Sequence, residues 1–286
     1  METQIKIATF APASLPPIDL YEKGLNILRN FKIPVKNFVD FSETPAGMKA
    51  FLLYEILTNQ EFTHIWTAKG GFGCLKLLPY LEELFSSKFI SPRFPTLIGF
   101  SDVTVLHLYF YKKFKKFSIH APMIATLPNL ESEALKFLID VIIHNKEIVM
   151  EGKVFQEGEA EAILLGGNLV SIASLCGTPY FSVNEDIILF IEDINEKLYR
   201  LERAFLQVLF FIGKKKIKGL IIGNLGEIEP LSFLENIKEF LPEDIPIGYD
   251  FPFGHVSKNY PLIIGKKVFF EAKNLKAKIF QESLII

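Results

Sequence analysis

Short, almost uninterrupted apolar runs alternate with stretches in which apolar residues recur every three or four positions. Residues 5–10, 35–39, 64–68 and 96–100 are the runs, and 19–31, 46–57, 74–84 and 102–114 carry the helical spacing. Strands that are apolar throughout, separated by helices, predict a parallel sheet covered on both faces. Ligands of such sheets bind beyond the carboxyl ends of the strands, which directs attention to the loops after Phe10, Ala68 and Phe100.

The pattern changes between residues 128 and 153. A helix is predicted over 133–144, followed by short strand-like pieces at 148–151 and 160–165. Strands at 187–191, 219–222 and 245–249 are then mixed with helices at 169–175, 198–212 and 233–240, and the chain closes on strand-like 262–264, 268–271 and 277–280. The predicted fold class is α/β: an N-terminal parallel-sheet α/β domain over residues 1–140, with a smaller β-rich C-terminal domain over 150–286.

Composition narrows the function classes. The 286 residues allow a large core, and a net charge of -2, from 31 basic and 33 acidic residues, leaves no electrostatic footprint for nucleic acid. Lysines cluster at 112–116 and 214–216, each at the end of a helix-like run, where cations complement the helix dipole. No apolar stretch is long enough to span a bilayer, and Met1 to Gln4 do not open a secretory signal. Two cysteines, Cys74 and Cys176, make neither a disulfide framework nor a metal cluster, and no histidine pair has metal-binding spacing. The expectation is a cytosolic protein without metal or other cofactor, and without a membrane or nucleic-acid partner.

Four segments could carry chemistry. In Gly99-Phe100-Ser101-Asp102-Val103 a strand gives way to a helix at a serine, the geometry of an exposed nucleophile, although Val103 stands where the common elbow has a second glycine. Ser101 would serve equally well as a helix cap. In Thr67-Ala68-Lys69-Gly70-Gly71-Phe72-Gly73-Cys74 three glycines can turn the backbone so that N–H groups face an anion; a tight turn without a ligand explains them too. The apolar strand 187–191 ends on Glu192 and Asp193, able to orient a histidine or to cap the next helix. His255, in a loop rich in glycine, proline and aromatics, is the histidine best placed to react. His107 falls within an apolar helix and suits a core role, while His120 could support a site from behind. Serine, carboxylate and histidine in that chain order are compatible with acyl transfer.

Taken together, the segments Ile7 to Pro12, Lys69 to Gly73, Gly99 to Asp102, His120 to Met123, Gly166 to Leu169, Gly177 to Tyr180, Phe190 to Asp193, Tyr199-Arg200 and Pro252 to His255 resemble the LD-carboxypeptidase family, which also contains microcin C self-immunity peptidases. The blocks follow the family's order over nearly the whole chain. The resemblance implies a site between the two domains with Ser101 as nucleophile, His255 as acid and base, and Glu192 orienting it. It further implies an oxyanion hole from backbone N–H groups of Gly71 (or Gly70) and Asp102, and substrate contacts from Lys69, Phe72 and Asn168. The implied substrate is a murein tetrapeptide, from which terminal D-alanine is released in the cytoplasm during cell-wall recycling, by a homodimer. Two alternatives are cleavage of an aminoacyl-sulfamoyl-adenylate and binding of muropeptides without catalysis. Lys69 replaces the family's usual arginine and so lacks its bidentate fork. Cys74 stands for a serine, and Ala121 for a glycine.

Overall fold

A computed structural model describes residues 5–87 and 94–283; the opening segment from Met1 to Gln4 lies outside the described residues. Five parallel strands, β1 (Ile7–Phe10), β2 (Val35–Asn37), β3 (His64–Thr67), β4 (Thr96–Gly99) and β5 (Ser118–His120), alternate with helices α1 (Ile18–Asn30), α2 (Ala46–Thr58), α3 (Cys74–Ser87) and α4 (Thr104–Phe114); α5 (Ser132–His144) follows. Every residue of β1, β3 and β4 is buried, which explains their uninterrupted apolar runs. The amphipathic helix α1 turns Tyr21, Gly24, Leu25 and Leu28 inward.

The second half forms a closed barrel. Its elements are β6 (Ile148–Gln156), β7 (Gly158–Asn168), α6 (Leu169–Leu175), β8 (Ile187–Glu192), α7 (Leu198–Ile212), β9 (Ile217–Ile222), α8 (Pro230–Ile237), β10 (Ile247–Tyr249), β11 (Leu262–Ile264), β12 (Lys267–Lys273) and β13 (Lys276–Gln281). Seven strands close in the order β10-β6-β13-β12-β7-β8-β9. Here β7, β8, β9 and β10 are parallel neighbours, while β6, β12 and β13 pair antiparallel. Strand β11 leaves this barrel and adds antiparallel to β5, at the edge of the first sheet. The first sheet therefore runs β11-β5-β4-β3-β1-β2 and takes one strand from the 150–286 stretch.

Several predicted elements are corrected in extent. Strand β5 goes unread in the apolar pattern because it has only three residues and ends on histidine. Strands β6 and β7 run to 9 and 11 residues, beyond the predicted 148–151 and 160–165, because the added residues of β6 and the start of β7 are half-buried or exposed. Strand β7 ends on buried Gly166, Gly167 and Asn168, which bring no apolar side chain to the pattern. The predicted small mixed β region is a closed barrel, which leaves its seven strands no open edge. Helix α8 begins at Pro230, whose missing N–H costs nothing at the first helical position. Among the described residues no helix is long and apolar enough to cross a membrane.

Candidate active site

Strand β4 delivers Ser101. Phe100 is still extended, but Ser101 turns into the left-handed region at φ 61°, and a 3-10 turn over Ser101–Val103 leads into α4. A serine held there stores roughly 1–3 kcal/mol of strain, which the surroundings must offset. The side chain caps neither segment: the cap positions are Phe100 and Val103, and neither makes a side-chain cap bond. Ser101 is left partly exposed at the end of the strand.

The glycine loop lies directly on this serine. A Cβ on Gly70 would stand 3.0 Å from Ser101 Cβ and 3.1 Å from its Oγ, so no larger residue fits without displacing the hydroxyl. The loop after β1 holds the glycine loop in turn: Ser14 N–H donates to the Gly70 carbonyl at 3.2 Å, and Ser14 Oγ accepts from Phe72 N–H at 3.3 Å. On its far side, Cys74 N–H donates to Asp102 Oδ2 at 2.8 Å. Burial pushes the Asp102 carboxyl up, and the N–H groups of Cys74 and Gly73 pull it only partly back. The loops after β1, β3 and β4 thus meet where parallel-sheet topology expects a ligand.

The barrel delivers the carboxylate and the histidine. All six residues of β8 are buried, and the strand ends on Glu192 at 0% exposure. His255 comes from the loop after β10, and its Nδ1 lies 2.8 Å from Glu192 Oε2. With a carboxylate as partner, Nδ1–H is the donor and Nε2 is left for chemistry. Burial disfavours the imidazolium, but the Glu192 hydrogen bond and charge, with Asp193 behind, outweigh it and raise the His255 pKa above its usual 6.5. The approach requires Gly254: its φ is 105°, and a Cβ there would meet Glu192 Cβ at 3.0 Å and Oε2 at 3.2 Å. Asn259, 2% exposed, fixes this loop by accepting the Gly254 N–H at 3.2 Å.

The halves touch through Phe100, whose ring centroid is 4.7 Å from that of His255. A cavity of about 320 Å³ opens there, lined by Phe100, Thr126, Asn129, His255, Ser257 and Asn259 among others. The remaining predicted residues are spread around this centre. Phe72 is 64% exposed, with the Lys76 ammonium 4.7 Å from its ring, and Lys69 is partly exposed. Asn168 is buried and already occupied: its Oδ1 accepts from Ser171 N–H and Ser171 Oγ–H, capping α6. Its backbone N–H donates to Thr104 Oγ1 at 3.0 Å.

The other carboxylate and histidines have structural environments. Asp193 caps α6 as well, accepting from Val170 N–H at 2.9 Å rather than capping the helix that follows it; burial pushes its pKa up to about 6. His107 bonds the Gly99 carbonyl at 2.9 Å, and burial pushes it down to about 4, as befits a core residue. His120 is wholly buried behind the site, ringed by Phe100, Phe190 and Phe253, and burial keeps it neutral. Sequence reasoning passed over three residues here: Phe100 as the bridge, Asn259 as the anchor of the histidine loop, and the Asp102 side chain as a tie across the glycine loop. Each depends on contacts between segments far apart in the chain, and no local pattern marks them.

Comparison with known proteins adds a second line. Residues 7–121 match the LD-carboxypeptidase N-terminal domain, and residues 161–269 match the LD-carboxypeptidase C-terminal domain. The murein tetrapeptide carboxypeptidase of Pseudomonas aeruginosa is 28% identical over 298 residues, covering 95% of this chain and 94% of that one. The microcin C7 self-immunity protein of Escherichia coli is 24% identical, over 93% of this chain and 90% of its own. Among solved structures, the muramoyltetrapeptide carboxypeptidase of Oxalobacter formigenes superposes with a TM-score of 0.83 at 25% identity, over 96% of this chain and 99% of that one.

Proposed function

The chain belongs to the LD-carboxypeptidase family, and from that premise we propose that Ser101, Glu192 and His255 form a triad that hydrolyses an L,D-peptide bond and releases the terminal D-alanine of murein tetrapeptides. The observation that carries this reading is the pair of buried Glu192 and half-buried His255, 2.8 Å apart, with the imidazole packed at a tilt against Phe100, the residue that precedes the strained serine.

In this reading Ser101 Oγ attacks the scissile carbonyl carbon while its proton passes to His255 Nε2. Glu192, held at Nδ1, orients the ring and stabilises the imidazolium. Backbone N–H groups of Gly70 or Gly71 and of Asp102 receive the oxyanion. Collapse of the tetrahedral adduct breaks the C–N bond, and the imidazolium proton goes to the departing amine of D-alanine. Water, deprotonated by His255, then cleaves the acyl ester and restores Ser101. Lys69 and Phe72, at the rim, are the proposed substrate contacts. Asn168 would act mainly by capping α6 next to Glu192, since its side-chain oxygen is already engaged. We place this activity in the cytoplasm, in cell-wall recycling, and assign it to a homodimer.

Cleavage of an aminoacyl-sulfamoyl-adenylate needs a surface for the base. The single tryptophan, Trp66, is wholly buried and donates its indole N–H to the Pro122 carbonyl at 2.8 Å, so it offers no stacking shelf. The deciding experiment incubates the protein and a Ser101→Ala variant with murein tetrapeptide and follows free D-alanine by mass spectrometry. Release by the parent and not the variant is expected. No release from either would reject the murein assignment.

A further inference from the structure

We infer that the Asp102 carboxylate is a positioning residue, a strap that fixes the glycine loop against the elbow and so sets where the oxyanion-binding backbone lies relative to Ser101. The inference rests on the proposed acyl-transfer reading and adds, to the oxyanion role proposed for the Asp102 backbone, a role for its side chain.

Asp102 directly follows the strained serine, so whatever holds Asp102 also holds the elbow. Its carboxylate is 8% exposed and reaches 28 residues back along the chain to accept the Cys74 N–H at 2.8 Å. The N–H of Gly73 and the thiol of Cys74 also face it. Cys74 opens α3, a helix of 14 residues, so the anion sits at the positive end of a helix dipole and meets N–H groups that the helix itself cannot satisfy. A buried carboxylate binding N–H groups makes hydrogen bonds roughly twice as strong as neutral ones.

The glycine loop starts from Ala68, whose N–H donates to the Phe10 carbonyl at 2.8 Å and whose carbonyl accepts from Ala125 N–H at 3.1 Å. Beyond Ala68, its hydrogen bonds to other segments, apart from the Asp102 strap, are on the Ser14 side, at 3.2 and 3.3 Å, both longer than the Asp102 bond. A loop tethered there alone could pivot about Gly71 and Gly73, whose positive φ values mark the turns. With Gly70 only 3.1 Å from the serine hydroxyl by its absent Cβ, a shift of half an ångström would misplace an oxyanion donor or block the hydroxyl. A strap that closes the loop from its far end prevents that movement.

A cap that served α3 alone would alter stability and leave chemistry untouched, so the test separates the two. Asp102→Asn keeps the shape and one acceptor; Asp102→Ala removes the strap. With murein tetrapeptide, kcat is expected to fall about 10-fold in the first and about 100-fold in the second, with KM within about threefold, the pattern of a lost transition-state contact. Amide hydrogen exchange across residues 68–80 is expected to rise in both variants while the rest of the chain keeps its protection. An unchanged kcat in Asp102→Ala with faster exchange at residues 73–74 would reduce Asp102 to a helix cap and overturn the inference. Should Asp102→Ala fail to fold, Asp102→Asn alone decides by the same two readouts. If Ser101→Ala retained the parent rate, the triad reading would fall instead, and unchanged exchange at residues 73–74 in Asp102→Asn would then overturn the strap as well.

Discussion

At the end of β4 the chain holds its proposed nucleophile by shape, and at the end of β8 it holds its proposed acid–base pair by charge. Around Ser101 the constraints are a left-handed backbone, a glycine loop with no room for a methyl group, and a strap at the loop's far end. Around His255 they are a buried carboxylate, a hydrogen bond of 2.8 Å and a raised pKa. The two regions should therefore fail in different ways. Changes of volume should damage the first at every pH, and changes of charge should damage the second in a pH-dependent manner.

The largest effect is expected from Glu192→Gln, which alters charge and leaves size nearly intact. It should lower kcat by about 10³–10⁴-fold, the cost of a wrongly held imidazole. His255 must be neutral to act as a base, so activity in the parent should fall with decreasing pH through a midpoint above 6.5. In the variant that midpoint should move to lower pH. Stability runs in the opposite direction: a pKa raised in the folded state contributes stability below the unfolded value, and that contribution is lost as pH rises through the folded one. Parallel pH–rate and pH–denaturation series check both signs; a midpoint unmoved in Glu192→Gln would break the comparison.

Gly254→Ala should come next, since a side chain at φ 105° is strained and also presses on Glu192. A loss of about 1–3 kcal/mol in stability is expected from the backbone alone, measured by denaturant unfolding. Its pH–rate midpoint should also drop, because the Glu192–His255 contact loosens. Gly70→Ala sharpens the contrast. It should cut kcat by about 10–100-fold through displacement of the Ser101 hydroxyl, with the pH midpoint unchanged. The smallest effect is expected from Asn259→Ala, which leaves the buried Gly254 N–H without its acceptor and should cost about 1–3 kcal/mol of stability with a modest loss of kcat.

Much of the scaffold could be read from the pattern of apolar residues, because strands buried on both faces spell themselves out. Strand β8, apolar up to Glu192, and the alternation through β4 and α4 are of this kind. The barrel was less legible. Strands β12 and β13 bury only alternate residues, and nothing in a half-polar strand names its partner. Strand β11 shows the limit most clearly: its three apolar residues predict a strand, yet the sheet it joins is fixed by β5, far away in sequence. The candidate site divides in the same way. Ser101 and Glu192 sit at strand ends and His255 in a loop rich in glycine and proline, where local pattern marks them. Asp102, Asn259 and Phe100 act across the fold, and Asn168, expected to meet substrate, spends its side-chain oxygen on the cap of α6.

The most direct measurement of the shape-held nucleophile and its charge-held partner is covalent labelling with a fluorophosphonate, with the adduct located by peptide mass spectrometry in the parent and in a His255→Asn variant. The account predicts one phosphonyl group on Ser101, and labelling at least about 100-fold slower in the variant, because the serine hydroxyl is a weak nucleophile without its base. An adduct on any other side chain, or labelling of the variant at the parent's rate, would contradict it.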